Sequence, residues 1–182
     1  NNISSITENI SLAIIAPDGK DGMIQHANEC VENNIPFLFD PGQGLPMFNK
    51  DELMVFIGQA HYIAVNDYEL QLVLDKTNLT LSKLASSVDA LIVTKGSQGS
   101  SIYSKGKEIV IDAIPIKIPV DPTGCGDAYR AGLIYGIINE YDWIKTGKLA
   151  SVMGAIKIKS QGGQNHATTL SEIESLLGSS LK

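Results

Sequence analysis

Four short apolar runs that alternate with segments of helical periodicity constrain the fold of this chain most strongly. The runs occupy residues 12–16, 36–39, 62–65 and 90–94. Apolar residues recur at helical spacing in 23–31, 53–57, 70–74 and 81–85. Short apolar runs bounded by turn residues are typical of buried strands. This alternation predicts a parallel α/β sheet with helices on both faces.

The sequence after residue 100 predicts a hairpin followed by helices. Residues 101–111 read as two strands that turn near Lys105 and Gly106. In residues 114–120, three isoleucines and Val120 alternate with Pro115, Lys117 and Pro119. The two prolines predict an edge segment because proline donates no ladder hydrogen bond. Helices are predicted at 126–139, 143–159 and 170–177.

Composition excludes several classes of partner. The formal net charge of −6 gives no general attraction to nucleic acid or to an anionic membrane. Cys30 and Cys125 lie far apart and predict neither a zinc site nor a disulfide, which favours a cytoplasmic location. No run approaches the roughly 18 apolar residues of a membrane span, and residues 1–4 lack the basic region and apolar core of a signal peptide.

Parallel sheets bind ligands where strands end and helices begin, so the loops after residues 39, 65, 94 and 120 are the expected places for chemistry. The last of these loops carries the strongest signal, Asp121-Pro122-Thr123-Gly124-Cys125-Gly126-Asp127. Its glycines allow close backbone approach, and it opens a helix whose free amides favour an anion. The amides of Gly124, Cys125 and Gly126 are therefore predicted to surround a transferring phosphoryl group.

Two side chains in this loop are open to more than one interpretation. Asp127 lies in the first helical turn, where a carboxylate facing a phosphate is unfavourable unless it removes a proton from an attacking hydroxyl. The alternative is that Asp127 only stabilises the helix dipole. The helix N-terminus is expected to lower the thiol pKa of Cys125, although we interpret this residue as a small space-filling side chain.

Three further loops carry weaker signals. The segment Thr94-Lys95-Gly96-Ser97-Gln98-Gly99 follows a strand and suits a nucleotide's ribose and phosphates, although it is neither a Walker loop nor G-x-G-x-x-G. Asn66 and Glu69 begin a predicted helix and are explained equally well as a helix cap. Residues 40–46 are interpreted either as a phosphate or substrate contact or as a plain turn.

The loop at residues 121–127 resembles the D-T-x-G-A-G-D signature of the ribokinase-like (PfkB) sugar and nucleoside kinases, with Pro122 and Cys125 as departures. The loops at 66–69 and 94–99 are similar to that family's N-x-x-E and T-x-G-x-x-G motifs and occur in the same order. The resemblance implies a ribokinase-like three-layer α/β/α sandwich with a mostly parallel sheet. Residues 1–182 would form its C-terminal ATP-binding and catalytic part, without the amino-terminal part and lid.

The resemblance also implies roles for individual residues. Asn66 and Glu69 would position Mg²⁺ and water, with Glu69 acting through water. Residues 94–99 would hold ATP, with Ser151 and Asn165 near the adenine. Carbonyl oxygens at Asp121 and Thr123 would hold a monovalent cation, for which K⁺ is one candidate, near Gly162 and His166.

The implied function is transfer of the ATP γ-phosphoryl group to a primary hydroxyl of a small-molecule nucleoside or sugar. Adenosine is the first expected acceptor, and a pentose or hexose is the next. Two alternatives stay open: a catalytically inactive nucleotide-binding module, and a dinucleotide-dependent reductase, against which the absence of G-x-G-x-x-G argues. A homodimer is compatible with the sequence, which does not determine the oligomeric state.

Overall fold

The structure, a computed structural model, describes residue 3 and residues 9–178. The expectation about a signal peptide concerns residues 1–4, of which only Ile3 is described. The strands are β1 (Ala13–Ile15), β2 (Phe37–Phe39), β3 (Tyr62–Asn66), β4 (Ala90–Thr94), β5 (Ser100–Ser104) and β6 (Lys107–Ile111). The α-helices are α1 (Lys20–Glu32), α2 (Lys50–Gln59), α3 (Asp67–Thr77), α4 (Leu81–Ser86), α5 (Cys125–Ile138), α6 (Trp143–Lys157) and α7 (Leu170–Leu177).

The six strands form one mixed sheet in the order β1-β2-β3-β4-β5-β6. Strands β1 to β4 are parallel, and Asn66 at the end of β3 is the register partner of Thr94 at the end of β4. The four apolar runs of the sequence are therefore neighbouring strands, as predicted. Their carboxyl ends bring two of the predicted ligand loops side by side.

The hairpin is confirmed, and the edge segment is not. Lys105 and Gly106 both have positive φ, 51° and 73°, which is the backbone form that joins two strands in a two-residue turn. Residues 112–124, all of them described, contain no strand. Prolines remove the N–H groups that a ladder needs, and the Val120 amide instead donates to the carbonyl oxygen of Ile158 at 2.8 Å.

Side-chain caps explain where several helices begin. Asn49 and Glu52 form a capping box at the start of α2, and Asn66 and Glu69 form one at the start of α3. Asn66 is the N-cap residue of α3. Single side chains cap α4, α6 and α7 through Thr80, Asp142 and Thr169. Among the described residues, no helix is both long and apolar enough to cross a bilayer.

Contacts divide the chain into two compact units. The first comprises Asn1–Lys95 and Ser101–Glu108, and the second comprises Gly96–Ser100 and Ile109–Lys182. An aromatic cluster fixes α2 in the first unit, where the buried rings of Phe39 and Phe56 stack with centroids 4.3 Å apart. Burying each ring contributes roughly 1.5–3 kcal/mol.

Helices α5 and α6 pack closely within the second unit because glycine removes side chains at their crossing. A Cβ atom on Gly132 would lie 2.6 Å from the Cα of Ala150, and one on Gly136 would lie 2.6 Å from the Oγ1 of Thr146. This close packing holds the start of α5 against the elements that follow α6.

Candidate active site

The turn before α5 is held by a left-handed glycine and by a second glycine loop. Gly124 is the N-cap of α5, with a φ of 80°. A Cβ atom on Gly124 would lie 2.7 Å from the carbonyl oxygen of Gly163, so only glycine fits where the two loops meet. The second unit thus brings two glycine backbones together at a helix N-terminus, a position whose free amides favour an anion.

One of the three amides expected at the anion is already used. The Cys125 amide donates to the carbonyl oxygen of Pro122 at 3.0 Å. The amides of Gly126 and Asp127 occupy the second and third positions of α5, where a helix offers no carbonyl partner of its own. The Cys125 amide thus has a backbone partner in this structure, and the role of the Gly124, Cys125 and Gly126 amides toward an anion stays a prediction.

Arg130 places a permanent cation beside Gly126. A Cβ atom built on Gly126 would lie 2.5 Å from the Arg130 Nη1 atom, so the guanidinium lies over this glycine. Residues four apart lie on one face of a helix, and this spacing was the signal available in the sequence. Asp127 itself is exposed in the first turn of α5.

The Asp121 carboxylate ties the two glycine loops together. Its Oδ1 accepts from the Thr123 amide at 2.9 Å, and its Oδ2 accepts from the Gly162 amide at 2.7 Å and from the Gln161 side chain at 3.1 Å. The bonds from the Thr123 and Gly162 amides lower the pKa of Asp121 to about 2. This carboxylate is therefore ionised at neutral pH and is engaged by the protein chain.

The expected lowering of the Cys125 thiol pKa is wrong. Partial burial raises the pKa of this thiol, and this outweighs the lowering effect of Lys157. The Sγ atom lies 3.8 Å from the carbonyl oxygen of Asp121. The interpretation of Cys125 as a small packing residue agrees with this environment.

No sequence pattern predicted a role for Lys157, which lies at the end of α6. Its side chain is 0% exposed, and its Nζ donates to the carbonyl oxygens of Asp121 at 3.1 Å and Ser160 at 3.0 Å. The Asp121 carbonyl was a predicted ligand of a monovalent cation. The ammonium of Lys157 lies at this carbonyl and would repel a second cation bound to the same oxygen, so the residues present do not fit an added K⁺ there.

The predicted nucleotide loop is divided between the two units. In the first unit, Thr94 Oγ1 lies 3.4 Å from the carbonyl oxygen of Val65, and Lys95 Nζ donates to Ser101 Oγ at 2.6 Å. Ser101 in turn donates to Glu108 at 2.7 Å. The Lys95 ammonium is thus engaged by the β5–β6 hairpin in this structure.

In the second unit, Gly96, Ser97 and Gln98 form a 3₁₀ turn, and Gly99 follows with a φ of 83°. A Cβ atom on Gly96 would meet nothing within 4 Å, so this backbone faces open space that a ligand can enter. The next residue, Ser100, forms a 2.7 Å hydrogen bond with the buried hydroxyl of Tyr129 on α5. The sequence did not predict this pair, which holds the glycine loop against α5.

The side chains of Asn66 and Glu69 are both used in the capping box. Asn66 Oδ1 accepts from the Glu69 amide at 2.7 Å, and Glu69 Oε2 accepts from the Asn66 amide at 2.8 Å. The cap interpretation is confirmed, and the role of Glu69 toward Mg²⁺ stays a prediction. Among the described residues, no cluster of three or more metal-binding side chains occurs.

The capping boxes of α2 and α3 offer a matched test of Glu69. Replacing Glu69 or Glu52 by Gln is expected to cost a small free energy of unfolding, roughly 0.5–1 kcal/mol, because each weakens one cap. Glu52→Gln also removes a partly exposed ion pair with Lys20, which adds little to this cost. Only Glu69→Gln should raise the Mg²⁺ concentration needed for half-maximal kinase activity. Equal Mg²⁺ titrations for both variants would leave Glu69 as a cap alone.

The other predicted site residues differ in how far they are exposed to solvent. Ser151 is nearly buried within α6, and Asn165 is exposed with its Nδ2 against Gly162. The Nδ1 of His166 is buried and has no hydrogen-bond partner among the described residues. The 40–46 loop is largely buried, and a Cβ on Gly42 would lie 2.6 Å from Pro17, which supports a packed turn there.

Comparison with known proteins identifies the class to which this fold and turn belong. A nucleoside kinase from Burkholderia thailandensis, solved in complex with ADP-inosine, superposes with a TM-score of 0.94 at 47% identity, over 97% of this chain and 55% of the other. The ribokinase-like α/β fold is therefore confirmed.

Proteins related to this chain by sequence are also nucleoside and sugar kinases. A nucleoside kinase from Methanocaldococcus jannaschii is 33% identical over 91% of this chain and 54% of its own length. A ribokinase from Bacillus subtilis is 29% identical over 81% of this chain and 48% of its own length. Residues 5–170 match the pfkB family of carbohydrate kinases, and the chain belongs to that family. It spans about half the length of these relatives.

Proposed function

We propose that the protein containing this chain transfers the γ-phosphoryl group of ATP to a primary hydroxyl of a nucleoside or sugar. The observation that carries the proposal is the turn before α5, where left-handed Gly124 exposes helix amides and Asp127 stands in the first turn. Family membership and similarity to nucleoside kinases and a ribokinase support the same chemistry.

In the proposed reaction, the Asp127 carboxylate accepts the proton of the acceptor hydroxyl as its oxygen attacks the γ-phosphorus and ADP departs. The amides of Gly124 and Gly126 and the guanidinium of Arg130 offset the charge on the transferring group. These donors are fixed before the reaction by the bonds of Asp121 and the packing of Gly163, so little reorganisation is needed.

The nucleotide is proposed to lie along the glycine turn at residues 96–99, with Ser151 and Asn165 toward the adenine. Mg²⁺, when bound with ATP, would neutralise phosphate charge, and Glu69 and Asn66 would act on it through water. K⁺ is left out of the proposed reaction because the Asp121 carbonyl already accepts from Lys157.

Adenosine is proposed as the preferred acceptor. A relative that binds inosine together with ADP supports a nucleoside over a free sugar. The test is an assay of the full-length gene product with radiolabelled ATP and a panel of adenosine, inosine, ribose and fructose. We expect the highest kcat/KM for adenosine, while a higher value for another acceptor would correct the substrate but leave phosphoryl transfer intact.

Calorimetric titration of the same preparation separates the alternatives. ATP binding without turnover on any acceptor would identify an inactive nucleotide-binding module. Binding of NAD(H) without binding of ATP would identify a dinucleotide-dependent protein and reject the kinase.

A further inference from the structure

We propose that Lys157 is a built-in cation that positions the turn before α5, so that this protein needs no monovalent metal ion. The expectation that turnover is independent of K⁺ rests on the proposed kinase function. The positioning itself is a property of the folded chain. Lys157 is a positioning residue here because it acts through the Asp121–Asp127 turn.

The buried ammonium group of Lys157 needs hydrogen-bond acceptors. Its side chain is 0% exposed, and moving an ammonium group out of water is costly unless hydrogen bonds replace the lost hydration. Two carbonyl oxygens, from Asp121 and Ser160, accept from its Nζ at 3.1 and 3.0 Å. Carbonyl oxygens around a small cation are also how proteins replace the hydration shell of K⁺.

The two carbonyls belong to the two segments that must stay together. Asp121 begins the turn that carries Gly124 and Asp127, and Ser160 begins the loop that carries Gly162 and Gly163. Backbone bonds reinforce the connection, since the Val120 and Asp121 amides both donate to the Ile158 carbonyl, at 2.8 and 3.2 Å. The ammonium therefore links the end of α6 to the start of the anion-binding turn.

Electrostatics favour a cation at this point. Lys157 is the last residue of α6, where the helix dipole and unpaired carbonyls favour positive charge. It also contributes to lowering the pKa of Asp121, whose carboxylate holds the Thr123 and Gly162 amides. One buried charge thus supports both the carbonyl and the carboxylate of Asp121.

Lys157→Met is the informative variant, because methionine fills the side-chain stem and leaves a gap at the position of the ammonium. Lys76→Met is the matched control, since the Lys76 ammonium donates to the carbonyls of Pro46 and Phe48 in the first unit. The measurements are amide hydrogen exchange of residues 121–127 in the nucleotide-free full-length protein, and kcat. Both are taken in KCl and in tetramethylammonium chloride at equal ionic strength.

We expect wild-type exchange and kcat to be the same in the two salts. Lys157→Met should exchange faster at residues 121–127 and lose about 10²-fold in kcat because the turn is misplaced. In Lys157→Met, K⁺ should partly slow this exchange and partly restore kcat. Lys76→Met should exchange like the wild type at residues 121–127.

Wild-type dependence on K⁺ would overturn the inference, and this result needs no variant to fold. Unchanged exchange in Lys157→Met, or faster exchange that K⁺ does not slow, would also overturn it. If the wild-type protein phosphorylates no acceptor, the proposed function fails, while hydrogen exchange still decides the role of Lys157.

Discussion

Replacing Asp127 by Asn is expected to lower kcat by roughly 10²- to 10⁴-fold while leaving ATP affinity nearly unchanged. The amide cannot accept the hydroxyl proton, but it preserves the size of the side chain in the first turn of α5. The carboxylate is exposed and is not a cap for its own helix, so its loss should not disturb the turn. Single-turnover kinetics and calorimetric ATP titration of the full-length protein measure the two quantities separately.

The alternative role of Asp127, stabilising the helix dipole, is tested by a matched variant. Asp51 is also a first-turn carboxylate, at the start of α2. Asp51→Asn and Asp127→Asn should each lose about 0.3–1 kcal/mol of unfolding free energy, because each removes a favourable interaction with a helix N-terminus. Only Asp127→Asn should lose turnover. Near-normal kcat in that variant would remove the base from the proposed mechanism.

Replacing Gly99 by Ala is expected to destabilise the protein by more than about 4 kcal/mol, which is a large effect for one methyl group. Gly99 has a φ of 83°, and a Cβ atom there would lie 2.1 Å from the Ile111 carbonyl oxygen and 2.8 Å from the Ala113 amide nitrogen. Backbone cannot move aside as a flexible side chain can. Chemical denaturation of wild type and variant measures the difference in unfolding free energy.

Gly96→Ala separates steric overlap from backbone strain. Gly96 also has positive φ, 56°, but a Cβ atom there meets nothing within 4 Å. Its replacement should cost only about 1–2 kcal/mol, the strain of a left-handed alanine. If both variants lose the same unfolding free energy, the steric overlap at Gly99 adds nothing to the strain of a positive φ.

Local patterns were sufficient for most of the elements. The run at residues 90–94 is β4, and the helix predicted at 170–177 is α7 with the same bounds. Apolar periodicity and turn residues act over a few neighbouring positions, so a sequence displays them directly. The apolar alternation in residues 114–120 did not produce a strand, because Pro115 and Pro119 have no amide hydrogen to donate to a neighbouring strand.

The sequence by itself determined the class of fold and the turn at which chemistry is expected, because glycine, aspartate and strand signals are local. Only the tertiary structure decided which groups of that turn are free. It assigned the Cys125 amide to Pro122, raised the pKa of the Cys125 thiol by burial, and brought Lys157 to the Asp121 carbonyl from 36 residues away. Burial and hydrogen-bond competition depend on residues distant in the chain, and no local pattern records them.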